Sequence, residues 1–237
     1  MPSESIEVGE GLLAEGLSLL RENDPKIDSL ISPRLPEITA RLNAYIEQIE
    51  LHNPALSLVG TNDRQELIVR HILDSLAPLG IISGIVAERS LPCIADVGSG
   101  AGLPGIPLAV ALPQAQCTLI ERKGRRAGFL RNALAALCLS NVTVEEEEME
   151  KVKPARFDLV TFRAFRPLEL KIVKKLFRLC REKGVLAAYK GRREKIEAEM
   201  AALEQSLPGI KSRRELFPCP VPLLDEQRHL ILLHSDH

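Results

Sequence analysis

The chain has 237 residues, 45% of them hydrophobic and 27% charged, with a formal net charge of −1. That length and apolar content support one large α/β domain or a domain with an appendage, and they exclude intrinsic disorder and a globally basic nucleic-acid binder. No run of about 18 uninterrupted apolar residues occurs, so no membrane span is expected. The opening Met1-Pro-Ser-Glu-Ser-Ile-Glu7 is acidic rather than basic-then-apolar, which makes the cytoplasm the expected compartment.

The first ninety residues read as helical. Leu12, Leu13, Leu17, Leu19 and Leu20 form an apolar stripe that ends near Asn23-Asp-Pro25. After Pro33 and Pro36, the residues Leu35, Ile38, Leu42, Tyr45, Ile46 and Ile49 recur at the three-and-four spacing of an amphipathic helix. Asn53-Pro54 is expected to end it. A third helix is expected over 64–79, with Pro78 near its end.

From Leu91 the rhythm becomes an alternation of short β-like and helical runs. Strands are predicted at 93–97, 117–121, 142–146, 159–163, 185–189 and 230–234, and helices at 105–112, 125–139, 168–182 and 193–207. Such alternation implies right-handed βαβ units and a mainly parallel, doubly wound sheet. Residues 212–217 and 228–234, separated by Pro218-Cys-Pro-Val-Pro222, read as an antiparallel pair closing the sheet edge. Residues 1–90 are thus expected as a helical lobe packed on an α/β domain at 91–237.

The most informative stretch is Ile94-Ala-Asp-Val-Gly-Ser-Gly-Ala-Gly-Leu-Pro-Gly-Ile-Pro-Leu108. Its glycines fall as Gly98-x-Gly100-x-Gly102, with Leu103 where a dinucleotide fingerprint places its third glycine. The loop therefore suits S-adenosylmethionine (SAM) better than NAD. Asp96 can orient the loop, and the missing side chains let the backbone approach a cofactor. Glu121, 25 residues on, stands where a carboxylate accepts hydrogen bonds from ribose hydroxyls. The turn at Glu148-Met149-Glu150 follows the third strand, where an adenine could be pinched. Arg163 and Lys190 end the fourth and fifth strands on the same edge, where an arginine needs a carboxylate or phosphate partner.

Methyl transfer fits this inventory, since an unprotonated ring nitrogen needs alignment rather than a strong base. No acid–base catalytic residue is assigned. The five cysteines have no C-x-x-C pairing and read as buried thiols in a reducing compartment. The histidines lack ligand spacing, so no metal is expected. Local charge is uneven: twelve Lys or Arg stand against three Glu between Arg163 and Lys195. Within 168–182, Ile172, Val173, Leu176, Leu179 and Cys180 make an apolar face, with Lys171, Lys174, Lys175 and Arg178 opposite as solvated charge or an RNA-facing surface.

Several segments together resemble one family, the bacterial small-subunit rRNA guanine-N7 methyltransferases RsmG, formerly GidB. They are Arg70-His-Ile-Leu-Asp-Ser-Leu76, Asp96 through Pro107, Gly124-Arg-Arg-Ala-Gly-Phe-Leu130, Phe157-Asp through Arg163-Ala164, Tyr189-Lys-Gly191 and Arg228-His-Leu230. The resemblance runs from about residue 38 to the C-terminus; the first thirty or so residues do not match it. It implies a Rossmann-like class I SAM-dependent methyltransferase fold with a seven-stranded sheet and an N-terminal helical extension. The implied product is 7-methylguanine in 16S rRNA, at nucleotide 527 in standard rRNA numbering. By position, Gly98, Leu103, Met149, Glu150 and Arg163 would contact the cofactor, beside Asp96, Gly100 and Glu121 read from the loop itself. Arg125, Lys190 and Arg228 would act on the RNA or target base, and His71 and Asp74 would lie near the lobe junction. The implied partner is 16S rRNA or the small ribosomal subunit, approached by a monomer with no membrane involved. Two departures stand out: His52-Asn53 where the family often has Trp-Asn, and Glu148 where it commonly has arginine. The residues alone also leave open a methyltransferase for another acceptor and a SAM-binding module without transfer activity.

Overall fold

Helix formation in the first lobe follows the apolar spacing and the caps. In this computed structural model, which describes residues 3–163 and 167–235, α1 (Ser3–Asn23) buries Leu13, Leu17 and Leu20 along one stripe. Asp24 then caps α2 (Pro25–Ile31): its side chain accepts the Lys26 N–H at 2.8 Å, and Pro25 takes the first turn where its missing N–H costs nothing. A short 3₁₀ turn over Ser32–Arg34 leads into α3 (Leu35–Leu56), whose Ile38, Leu42, Tyr45, Ile46 and Ile49 are fully buried.

Several boundaries differ from expectation. The helix of residue 35 onward runs through Asn53-Pro54 and stops at Ser57, whose φ of 48° is left-handed. Pro54 falls in the last turn, and Asn53 serves as a clamp rather than a breaker. Its amide donates to the Thr61 carbonyl and the Asn62 side chain, and its oxygen accepts the Val59 N–H. The expected 64–79 helix is composite: α4 (Arg64–Leu67), a π turn at Ile68–Leu73, α5 (Asp74–Leu76), then a separate α6 (Leu79–Val86). The stretch Arg64–Val86 is long and apolar enough to cross a membrane by length and composition. Its apolar residues Leu67, Ile68, Ile72, Leu73, Leu76, Leu79 and Ile82 are instead buried in the protein core, which accounts for the hydropathy.

The remaining chain forms β1 (Cys93–Val97), α7 (Gly105–Ala111), β2 (Gln116–Ile120), α8 (Gly124–Ala136), β3 (Val142–Glu145), β4 (Phe157–Arg163), α9 (Leu170–Leu179), β5 (Cys180–Lys190), α10 (Arg193–Ser206), β6 (Arg214–Pro218) and β7 (His229–His234). α9 ends three residues before the expected limit. Cys180 is already extended and pairs with Phe157, so the chain enters β5 early and bulges before Val185 resumes the register.

The seven strands lie in the order β3-β2-β1-β4-β5-β7-β6. β3 through β5 run parallel, while β7 is antiparallel to β5 and β6 to β7, as the closing pair predicted. The order of connection reverses between β1 and β4, which opens a crevice beyond their C-terminal ends. One sheet face packs with α7, α8 and the helical lobe through Leu119, Leu159, Ala187 and Leu232, and the other with α9 and α10 through Val160, Phe162, Leu186 and Leu233. Of the cysteines, Cys117, Cys180 and Cys219 are buried thiols. Cys93 is half-buried and Cys138 is exposed at the end of α8, which corrects the expectation for those two.

Candidate active site

The glycine loop leaves β1 at Val97 and turns through Gly98, Gly100 and Gly102, all at positive φ (72°, 58° and 92°). Such backbone is costly for residues with a Cβ. At Gly102 a Cβ would also stand 2.6 Å from Ile106 Cδ1. Asp96 is buried beneath the loop, where Oδ2 accepts the Gly105 N–H at 3.1 Å and so ties the strand to the start of α7. Burial pushes its carboxyl up to about 7, against the pull of that N–H and of Arg163. Glu121, also buried, accepts the Gly100 N–H at 3.0 Å on one oxygen and the Lys123 N–H at 2.8 Å on the other. Each carboxylate oxygen keeps a further lone pair for a ligand hydroxyl.

Around these residues lies a cleft of about 570 Å³ whose walls include Gly98, Glu121, Met149 and Glu150. Its size suits a nucleoside cofactor. The missing Cβ atoms, the two-oxygen acceptor at Glu121 and the Met149 thioether fit SAM. Gly100 and Leu103 shape the loop behind this wall. Sequence reasoning missed part of the opposite wall, Ile172 and Lys175 of α9. Lys175 Nζ holds Glu150 at 2.5 Å, and the Arg178 guanidinium donates to the carbonyls of Met149 and Glu150 at 2.7 and 3.0 Å. The basic face of α9 is therefore partly committed to holding the turn at Met149 and Glu150. The signal that could have found this is the overlap of that basic face with four consecutive Glu upstream.

A second cavity, of about 270 Å³, opens beside the ends of β4 and β5 and is lined by Asp74, Phe162, Arg163, Tyr189, Lys190 and Arg228 among others. Arg163 belongs to this cavity and is not among the cleft's lining residues. Its guanidinium bonds Asp74 Oδ2 at 3.0 Å and His71 Nδ1 at 3.1 Å, so the imidazole accepts there. Burial, then the neighbouring Arg163, Arg70 and Arg228, bring His71 down to about 4, leaving it neutral. Arg228 reaches the other Asp74 oxygen at 3.3 Å, and Lys190 bonds Glu199 at 2.6 Å. Burial raises the Asp74 carboxyl while both arginines oppose the shift.

Arg125 stands apart from Lys190 and Arg228. It donates to the Ala55 carbonyl at 3.1 Å, as Arg126 does to that of Ser57 at 2.9 Å, so the pair caps the C-terminus of α3. Of the two departures, His52 still presents a ring, edge-on to Phe129 with centroids 5.5 Å apart. Glu148 lies on the cleft rim and pairs with Lys151 only at 3.7 Å. Ala164 of the predicted motif lies outside the described residues. Among the described residues, no group of three or more His, Cys, Asp or Glu is placed to hold a metal.

A parallel sheet reversing at β1 and β4, a glycine loop after β1 and an acidic residue after β2 define a class I SAM-dependent methyltransferase. The fold is similar to that of a predicted O-methyltransferase from Agrobacterium tumefaciens (TM-score 0.53, 22% identity, 70% of this chain and 81% of that one). A tRNA (m1A58) methyltransferase from Aquifex aeolicus is similar too (TM-score 0.50, 13% identity, 66% and 68%).

The chain belongs to the GidB family, described as rRNA small subunit methyltransferase G, whose model matches residues 38–231. It is 39% identical over 228 residues to a ribosomal RNA small subunit methyltransferase G from Treponema pallidum (strain Nichols), covering 94% of this chain and 93% of that one. A protein of the same name from Xanthomonas campestris pv. campestris (strain 8004) is 39% identical over 202 residues, covering 84% and 88%.

Proposed function

We propose that this protein methylates N7 of a guanine in 16S rRNA, at nucleotide 527, with SAM in the 570 Å³ cleft and the target base in the 270 Å³ cavity. The observation that carries this reading is the pair of cavities at the C-terminal strand ends of one sheet, lined from the neighbouring strands β1 and β4. One is walled by a glycine loop and a hydroxyl-accepting carboxylate; the other is lined by Arg163, Lys190 and Arg228. SAM supplies an electrophilic methyl on a sulfonium. Glu121 binds the ribose hydroxyls, Met149 and Ile172 pack against the adenine, and the Gly98–Gly102 backbone approaches the amino-acid portion.

Guanine N7 carries a lone pair and no proton, so the protein's task is alignment and exclusion of water rather than base catalysis. Lys190 and Arg228 donate toward the base oxygen or a flanking phosphate, and Arg163, held by His71 and Asp74, lines the wall of the base cavity. The exposed cations Arg122 and Lys123 stand at the cleft mouth, where RNA phosphates pass. The test is transfer of labelled methyl to naked 16S rRNA and to small subunits in parallel, followed by aniline cleavage at 7-methylguanine. Cleavage at the target nucleotide is expected in one of the two substrates. SAM binding without incorporation into either overturns the proposal and favours a binding module.

A further inference from the structure

Among the described residues that line the cavity assigned to the base, beside Arg163, Lys190 and Arg228, is a carboxylate that the methyl-transfer reading leaves without a role of its own. Asp74 lines it from α5, with only 9% of its side chain exposed. One oxygen accepts from Arg163 at 3.0 Å, and the other forms an ion pair with Arg228 at 3.3 Å. A carboxylate offers about four acceptor positions, so those two contacts leave acceptor capacity on both oxygens. Guanine presents two neighbouring donors, N1–H and the 2-amino group, on the edge that points away from N7. If N7 faces the cofactor cleft, those donors face away from it, and Asp74 is a carboxylate in the cavity lining that can accept them.

Resting on the guanine-N7 reading, we propose that Asp74 recognises the target base by accepting N1–H and the 2-amino group together. Adenine cannot satisfy it, because its N1 is an acceptor. Arg163 and Arg228 hold the carboxylate in place with both oxygens presented. The same contact helps the chemistry. The N7 lone pair forms the new carbon–nitrogen bond as the methyl–sulfur bond breaks and its electron pair passes to sulfur; no proton leaves, and the positive charge moves onto the purine. In a cavity lined by Arg163, Lys190 and Arg228, the Asp74 carboxylate offsets that charge through the N1–H, whose acidity rises as N7 is alkylated.

The experiment compares wild-type protein with Asp74→Asn on 16S rRNA carrying either guanine or inosine at the target position, in the substrate form that accepts methyl. Inosine keeps N7, O6 and N1–H and lacks only the 2-amino group. Wild-type kcat/KM is expected to fall roughly tenfold or more on inosine, the scale of one lost hydrogen bond to a charged acceptor. In Asp74→Asn the guanine rate falls and the guanine-to-inosine ratio shrinks towards the intrinsic difference between the two bases. Calorimetric SAM affinity of the variant should match wild type. An equal ratio in the two proteins overturns the proposal and leaves Asp74 as a support for the arginines. So does a wild-type enzyme indifferent to inosine, a result that involves no variant and no folding risk. Failure of the wild type to methylate guanine N7 at all counts instead against the function itself.

Discussion

Asp96 and His71 titrate in opposite directions, and each gives the protein a different pH sensitivity. Burial raises Asp96 to about 7 from its ordinary 3.8, so its contribution to stability is complete below pH 3.8 and lost as pH rises through 7. His71 is lowered to about 4 from 6.5, so its contribution is present above pH 6.5 and lost as pH falls through 4. Urea unfolding of Asp96→Asn should therefore show a gain over wild type that grows between pH 4 and pH 8, on the order of a few kcal/mol at the top of that range. A difference that stays constant with pH would contradict the assignment. Tyr45 makes the other single-residue case. It is fully buried in α3, and its hydroxyl donates to the Ala101 carbonyl in the glycine loop at 2.6 Å. Tyr45→Phe should cost about 1–2 kcal/mol in thermal or chemical unfolding and weaken SAM binding, because it frees a buried carbonyl of that loop.

At the scale of elements, the start of α7 and the face of α9 decide how well the cleft is built. A Cβ at Gly105 would stand 2.4 Å from Leu119 Cδ2 and 2.8 Å from Asp96 Oδ2. Gly105→Ala is expected to destabilise by about 1–3 kcal/mol and to reduce SAM affinity, measured together by calorimetry with and without ligand. On α9, the sequence pattern leaves Lys174, Lys175 and Arg178 equivalent, but their contacts separate them. Arg178→Ala should weaken SAM binding, since it releases the carbonyls of Met149 and Glu150. Lys174→Glu, at an exposed position, should leave SAM affinity unchanged and lower RNA affinity if that face meets phosphates. Equal effects of the two substitutions on SAM binding would refute this division of the helix.

For the molecule as a whole, the helical lobe and the α/β region share a core. Leu13, Tyr45 and Leu73 belong to the same buried cluster as Leu119, Leu159 and Leu232. The Tyr189 hydroxyl on β5 reaches the Ser75 carbonyl at 2.9 Å, and Arg163 reaches Asp74 across the same junction. We therefore expect one unfolding transition by calorimetry, and insoluble protein when residues 91–237 are expressed alone, rather than two independent domains. RNA binding by a chain of net charge −1 must rest on local cations, so its affinity should fall steeply with added salt.

Much of this was legible in the chain because it depends on local chemistry. Helical spacing identified α1, α3 and α9; strand–helix alternation identified the parallel sheet; closely spaced glycines identified the tight turn after β1. Those signals act over a few residues, where backbone sterics and apolar periodicity dominate. The contacts that join distant segments were not legible. Arg163 on β4 and Arg228 on the loop before β7 meet Asp74 only because the sheet order brings their strand ends to the helical lobe. Arg125 caps α3 instead of joining them, and half the basic face of α9 holds a turn. The order of residues along the chain was enough for the glycine loop and the sheet that carries it. Which charged residues surround the second cavity was settled by folding, because a cation's role depends on the carboxylate or carbonyl within hydrogen-bond reach, and that distance exists only in the folded chain.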